Sequence, residues 1–197
     1  MPVPATTQSR GRAAALPVAE RRAAIVAAAL PLFLDQGGAV TTREIAHAAG
    51  IAEGTIFRVF ADKDEIIVAA IEAALDQAPL EAALGAIPPD LGLEASLVSA
   101  VVIMQQRVID VWRLMSSVGT RFHERTRRPV ADSDALVRLF APYRDRLSVE
   151  PIAAARLLRA LTLSTTHPML AGEPQSPGEL VQLFLHGVAK GAGCCSS

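Results

Sequence analysis

The sequence predicts an all-α fold, with a group of short helices at the N-terminal end and a bundle of longer ones behind it. Apolar residues make up 51% of the 197 residues, and Ala and Leu dominate them while alternating β-branched runs are scarce. That composition suits helices rather than strands. Apolar positions also recur three and four apart, which gathers them on one side of a helix. Gly and Pro fall mostly between these stretches, at Gly37-Gly38, Gly50, Pro79, Pro88-Pro89 and Gly172–Gly178.

The elements follow in order. Residues 1–16, rich in Pro, Thr, Ser and Ala, read as a disordered arm. Arg10 and Arg12 within it are either solvated or free to touch DNA phosphates or a minor groove. A first helix is expected over Val18–Gln36, with Ile25, Ala28, Ala29, Leu32 and Phe33 as its apolar stripe. Pro31 should kink it, because proline removes one backbone hydrogen bond and crowds the preceding turn.

Residues 41–63 are the most informative part of the chain. Thr41 and Thr42 suit a helix N-cap, since a hydroxyl accepts a hydrogen bond from a backbone N–H that has no partner inside the helix. A short helix follows over Arg43–Ala49, burying Ile45, Ala46 and Ala49. Gly50 ends it, free to adopt positive φ, and Ile51 pins the turn. A second helix is expected from Ala52 to Phe60. Ile56 and Phe60, four apart, point inward together, leaving Glu53, Thr55, Phe57, Arg58 and Val59 outside or flanking. Gly54 lets the backbone approach another molecule closely. Asp62 is placed to cap the next helix, and Lys63 to meet a phosphate. Two short helices, a tight turn and a basic, aromatic-containing end form the layout of a helix-turn-helix, whose second helix enters the DNA major groove. An ordinary helical hairpin with Arg43, Arg58 and Lys63 as solvated surface has the same spacing, but the combined pattern favours DNA.

Beyond Lys63 a fourth helix is expected to about Gln77, with Ile66, Ile67, Ala70, Ile71 and Leu75 inward. A long helical region covers Leu93–Arg127, bent or split near Gly119, and others cover Ser133–Arg146, Pro151–Thr166 and Pro177–Lys190. The expected division is an arm at 1–16, a helix-turn-helix domain at 17–63 and a further helical domain at 64–197.

Charge bears on partners. The net charge is −1, but residues 1–63 hold seven Lys/Arg against five Asp/Glu, which is +2, and the rest hold twelve against fifteen, which is −3. The asymmetry has the sign that phosphate contact requires, and a few well-placed cations matter more than the total. The only cysteines, Cys194-Cys195, are adjacent, so no framework of spaced disulfides exists and free thiols are expected. No uninterrupted apolar run reaches about 18 residues, and the first 16 lack a signal core; a cytoplasmic protein without a membrane partner is expected. There is no nucleophile–base set, phosphate loop or metal constellation. His123 and His167 stand isolated from other ligand types. No catalytic residue, metal or cofactor is therefore expected. Arg121, Arg125, Arg127 and Arg128 form a cluster that is either a solvated helix end or a site for an acidic ligand or partner.

From roughly Arg21 to Ile71 the chain resembles the N-terminal domain of the tetracycline-repressor (TetR) family of transcriptional regulators. The resemblance rests on Leu32-Phe-Leu-Asp-Gln-Gly37, Thr41-Thr-Arg-Glu-Ile-Ala46, Gly50-Ile-Ala-Glu-Gly-Thr-Ile-Phe57, Phe60 and Lys63-Asp-Glu-Ile66. It implies that Thr42 is a phosphate-contacting N-cap and that Arg43 reaches phosphate or a base edge. It places Glu53, Gly54 and Thr55 at the start of the recognition helix, with Phe57 where Tyr is common and Arg58 outward and variable. Lys63 would bind phosphate. The chain departs from the family pattern at Phe57, which lacks the Tyr hydroxyl, at Val59, often aromatic or His, and at Gly38, usually aromatic.

The resemblance also implies a homodimer through the last two helices, whose apolar faces hold Leu157, Leu158, Leu161 and Leu163, then Leu180, Leu183, Phe184 and Val188. The middle helices carry Met104, Val108, Val111, Trp112, Met115, Phe122, Leu136, Leu139, Phe140 and Tyr143, at core spacing. In this family that region usually encloses a small-molecule pocket. Met104, Trp112, Met115, Phe140 and Tyr143 are its expected border, Trp112 and Tyr143 offering polar tips. The function implied is that of a dimeric repressor released from a palindromic double-stranded DNA operator by a small, largely apolar effector. A helical carrier or scaffold whose headpiece no longer binds DNA is the alternative, and Phe57 and Val59 are its support.

Overall fold

The structure, a computed structural model, describes residues 17–119, 122 and 131–188. Arg10, Arg12, Arg121, His123, Arg125, Arg127, Arg128, Cys194 and Cys195 lie outside the described residues. The helices are α1 (Val18–Gln36), α2 (Thr42–Ala48), α3 (Glu53–Ile56), α4 (Lys63–Leu75), α5 (Ala78–Gly85), α6 (Leu93–Val118), α7 (Asp134–Phe140), α8 (Pro151–Thr166), α9 (Pro168–Ala171) and α10 (Pro177–Val188). Gly37–Ala39 forms a 3-10 turn after α1, and a 3-10 segment, Ala141–Arg146, continues α7. The fold is all-helical, as the composition implies.

Several boundaries differ from the expected ones for local reasons. Helix α1 runs through Pro31 without a break, with that proline exposed on its outer side. Pro79 does not simply interrupt the chain. It sits in the first turn of α5, where a missing N–H costs nothing. Pro168 likewise opens a short helix in a stretch expected to be loop. Helix α6 stops at Val118 because Gly119 turns out at φ 96°.

Two hydrophobic cores organise these helices. The headpiece core gathers Ile25, Ala29 and Phe33 of α1, Ile45 of α2, Ile56 of α3, Phe60, and Ile66, Ile67, Ala70 and Ile71 of α4. The body core gathers Leu84 of α5, Leu97, Val101 and Met104 of α6, Leu136 and Phe140 of α7, Leu158 of α8, and Leu180 and Phe184 of α10. Helix α6 belongs to both, because Leu114 and Val118 at its C-terminal end sit in the headpiece core. The first turns of α4 pack there too, so the headpiece core extends past residue 63.

By length and a mean hydropathy of 1.2 over its most apolar window, α6 has the dimensions of a membrane-crossing helix. Here it is the spine shared by both cores, and Gln105, Gln106, Arg107 and Asp110 interrupt its middle.

Headpiece and body meet tightly where α1 ends. Gly37 takes φ 62°, and a Cβ there would lie 2.4 Å from the Ser117 carbonyl oxygen. Ser117 Oγ lies 2.8 Å from the Phe33 carbonyl oxygen, which accepts its proton. Only a residue without a side chain lets the two helix ends approach this closely.

Candidate nucleic-acid interface

The interface is built from the start of α2. Thr41, not Thr42, is the N-cap. Its Oγ1 accepts from Glu44 N at 3.2 Å, and its own N–H donates to Glu44 Oε2 at 2.8 Å. These reciprocal bonds form a capping box. The Thr41 backbone bond, then the Thr41 hydroxyl bond, hold the Glu44 carboxyl below its ordinary pKa. Thr42 is the first residue of α2 instead, and its hydroxyl donates to Glu53 Oε1 at 2.6 Å. That bond ties the beginning of α2 to the beginning of α3 and uses two residues expected at the DNA surface to fix their helices relative to one another.

Gly50 makes the turn at φ 65°, with open space around it, and Ile51 N donates to Ala46 O at 3.0 Å. Helix α3 is shorter than the expected nine residues. Regular α-helix covers only Glu53–Ile56, after which Arg58 N bonds Thr55 O and Val59 N bonds Ile56 O, the three-residue spacing of a tightening turn. The inward face is as the spacing predicts, with Ile56 and Phe60 at most 1% exposed. Outward, Glu53, Gly54 and Arg58 are exposed, Thr55 is half-buried and Phe57 is 53% exposed. Nothing in the chain lies within 4 Å of a Cβ built on Gly54, so that glycine serves no internal packing.

Arg43 and Arg58 are exposed and make no hydrogen bond or ion pair among the described residues. Lys63 is different. Its Nζ donates to Gly38 O at 2.7 Å, bracing the α1–α2 connection while two donors remain. Asp62 caps α4 by accepting from Glu65 N at 2.8 Å, as its position predicts. One residue escaped the sequence reading: Arg22. Its Nη1 donates to Glu65 Oε1 at 3.0 Å and to Val59 O at 3.4 Å, and its guanidinium lies 4.2 Å from the Phe60 ring centroid. It clamps the end of the α3 segment onto α1 and α4. No short-range pattern marks it, because its partners lie 37 and 43 residues away.

The five expected pocket residues do not surround one space. Met104 and Phe140 are buried in the body core, Phe140 packing 5.8 Å from the Phe184 ring. Met115 packs against the headpiece core. Eleven residues separate it from Met104, about 16 Å of helix. Trp112 meets His167 edge-on at 4.6 Å, and Tyr143 lies on the 3-10 segment with the Arg146 guanidinium 5.7 Å from its ring centroid. Helical spacing gave their common face but not their depth along α6. His167 Nδ1 also accepts from Met169 N at 3.3 Å, so it is a capping residue. Among the described residues no three His, Cys, Asp or Glu side chains converge as metal ligands. The open cavity, about 600 Å³, lies instead between α1, α4, α5 and α6.

An exposed, turn-linked helix pair whose Arg43 and Arg58 are unpaired among the described residues, packed on α1 and α4, has the geometry of a helix-turn-helix. Residues 25–70 match the sequence model described as bacterial regulatory proteins, tetR family. Most of the chain has the fold of solved structures. One, described as a TetR-family transcriptional regulator from Mesorhizobium loti MAFF303099, matches with TM-score 0.63 at 16% identity over 89% of this chain and 100% of that one. SmeT, the repressor of the Stenotrophomonas maltophilia multidrug efflux pump SmeDEF, matches with TM-score 0.51 at 22% identity over 87% and 91%. A transcriptional regulator from Rhodococcus sp. Rha1 matches with TM-score 0.54 at 17% identity over 85% and 97%. Residues 25–70 are thus similar to the DNA-binding domain of tetR-family regulators, and the helical body behind them has the fold of the same solved structures.

Proposed function

We propose that the protein is a dimeric, cytoplasmic repressor that leaves a palindromic operator when a small, largely apolar effector binds. The observation that carries the DNA face is the exposure of Arg43, Phe57 and Arg58 beside Gly54, with both arginines unpaired among the described residues. In this reading Gly54 and Thr55 approach the base edges, and Phe57 packs on a thymine methyl. Arg43, Arg58 and the spare donors of Lys63 meet phosphate or bases. Thr42 and Glu53 act chiefly by holding α2 and α3 in register.

Dimerisation through α8 and α10 is supported by Leu157, Leu163 and Leu183, which are 49%, 43% and 56% exposed. Leu158, Leu180 and Phe184 on the same helices already fill the body core, so the outward leucines are surplus to it. A two-fold pair of short recognition helices reads both halves of a palindrome. The effector acts by favouring a dimer whose headpieces are spaced differently. Met104 and Phe140 are packed core, so a ligand bordered by them would first have to displace their neighbours. The open cavity needs no such rearrangement.

The test is duplex selection from a random pool, followed by affinity measurements on the selected duplex. Arg58→Ala should weaken binding about tenfold and flatten the salt dependence by about one phosphate contact, with its circular dichroism unchanged. A variant that binds as the parent does, or a pool that yields no preferred duplex, contradicts the assigned face.

A further inference from the structure

We propose that His47 is a further DNA-contacting residue, its imidazolium meeting a backbone phosphate, so that the chain binds its operator more tightly as the pH falls. This rests on the DNA face assigned above and adds a regulation to it. At about 3.6 residues per turn, residues four apart on α2 stack into strips. Thr42 and Ala46 form the strip toward the turn and α3: the Thr42 hydroxyl donates to Glu53 Oε1, and Ala46 O accepts from Ile51 N. Arg43 and His47 form the next strip round the helix, and both are exposed. His47 therefore stands one turn along α2 from Arg43, on the side that adjoins α3. In a helix-turn-helix the second helix enters the groove while the first crosses the phosphate backbone, and this strip is the exposed part of α2 nearest the recognition segment.

The His47 side chain makes no hydrogen bond, ion pair or ring contact among the described residues, so the headpiece itself does not use it. The charged groups on its own and the neighbouring elements are Arg43 and Glu44 on α2, Glu53 and Arg58 on the α3 segment, and Glu20, Arg21, Arg22 and Asp35 on α1. None of them pairs with His47 among the described residues. The two carboxylates beside it are engaged elsewhere, Glu44 with Thr41 and Glu53 with Thr42. A phosphate is then the counter-charge open to an imidazolium at this place, and a charge-assisted bond to it is stronger than one from the neutral ring. Imidazole is the side chain that ordinarily gains its charge between about pH 5 and 8. A phosphate favours the protonated form, so binding strengthens as the pH falls through that range. A competing role is internal: a positive charge in the last turn of α2 favours the negative end of the helix dipole. That would stabilise the free chain in acid and leave the salt dependence of duplex binding unchanged.

The test is fluorescence anisotropy of the selected duplex, titrated with the full chain at about pH 6 and about pH 8 and over a range of salt. The parent should bind at least about threefold more tightly at the lower pH. Its salt dependence should steepen there by about one phosphate contact per chain. His47→Gln, polar but never charged, should lose the response and keep the weaker affinity and shallower slope at both pH values. His47→Lys, charged throughout, should keep the tighter affinity and steeper slope at both. Equal parent affinity at the two pH values, or a response that survives in His47→Gln, overturns the contact. So does a parent salt slope that stays constant while only the melting temperature of the free chain responds to His47→Gln, which assigns the imidazolium to the helix dipole. Saturable duplex binding with no pH response removes His47 and leaves the DNA face standing. No saturable binding by the parent at either pH removes the DNA face, and the His47 contact with it.

Discussion

Gly37 and Gly50 share a backbone conformation, φ 62° and φ 65°, yet occupy opposite surroundings. Around Gly50 there is open space, whereas a Cβ on Gly37 would meet Ser117 O at 2.4 Å. Alanine in the left-handed region costs about 1–2 kcal/mol at either place, but only at Gly37 must a helix end also move. Urea unfolding should therefore show a clearly larger stability loss for Gly37→Ala than for Gly50→Ala, and equal losses would mean that α1 and α6 are not held in this close contact. The sequence placed both glycines at turns. It could not distinguish them, because the partner of Gly37 lies 80 residues away. Arg22 was hidden for the same reason. Arg58, by contrast, was legible, because a residue flanking the inward pair Ile56 and Phe60 must face outward whatever the tertiary contacts.

At the scale of elements, ends with a chemical signal were read well and ends without one were not. The capping hydroxyl at Thr41, the carboxylate at Asp62 and the turn at Gly50 each announce themselves by residue type, although the cap fell on the first rather than the second of two threonines. Helix α3 is shorter than its apolar spacing predicts. Ile56 and Phe60 keep the same inward spacing in a helix or in a tightening turn, and Gly54 weakens helix propagation in so short a segment. The residues of the expected ligand border are divided between two cores, since periodicity fixes a face of α6 and not which of two cores that face reaches. The α2 cap can be tested directly. Thr41→Ala removes the hydroxyl's bonds with Glu44 N and Glu44 Oε2, leaves the backbone N–H bond to the Glu44 carboxylate, and should lower the melting temperature by about 2–4 °C at neutral pH. Because the Glu44 carboxyl is held below its ordinary pKa, its contribution is present above the ordinary carboxylate range and is lost as the pH falls through the lowered one. The deficit of Thr41→Ala should therefore shrink in acid. A deficit that stays constant, or none at neutral pH, would remove the capping box from the account.

For the molecule as a whole, α6 runs through both cores and α8 and α10 present leucines that neither core uses. The all-α class and the order of headpiece before body were legible in the sequence. The sharing of one helix between two cores was not, because it depends on how far α6 extends past α4. The central claim is that two copies present the α2–α3 surface to one duplex, joined through α8 and α10. Hydroxyl-radical footprinting of the selected operator tests it most directly. The parent chain should protect two symmetric half-sites about one helical turn apart on one face of the duplex. Leu183→Glu, which sets a charge on the exposed side of α10, should halve the solution mass and erase the paired protection while leaving the fold helical. A single unsymmetrical footprint from the parent chain, or paired protection that survives in a Leu183→Glu variant reduced to single chains, would contradict the account.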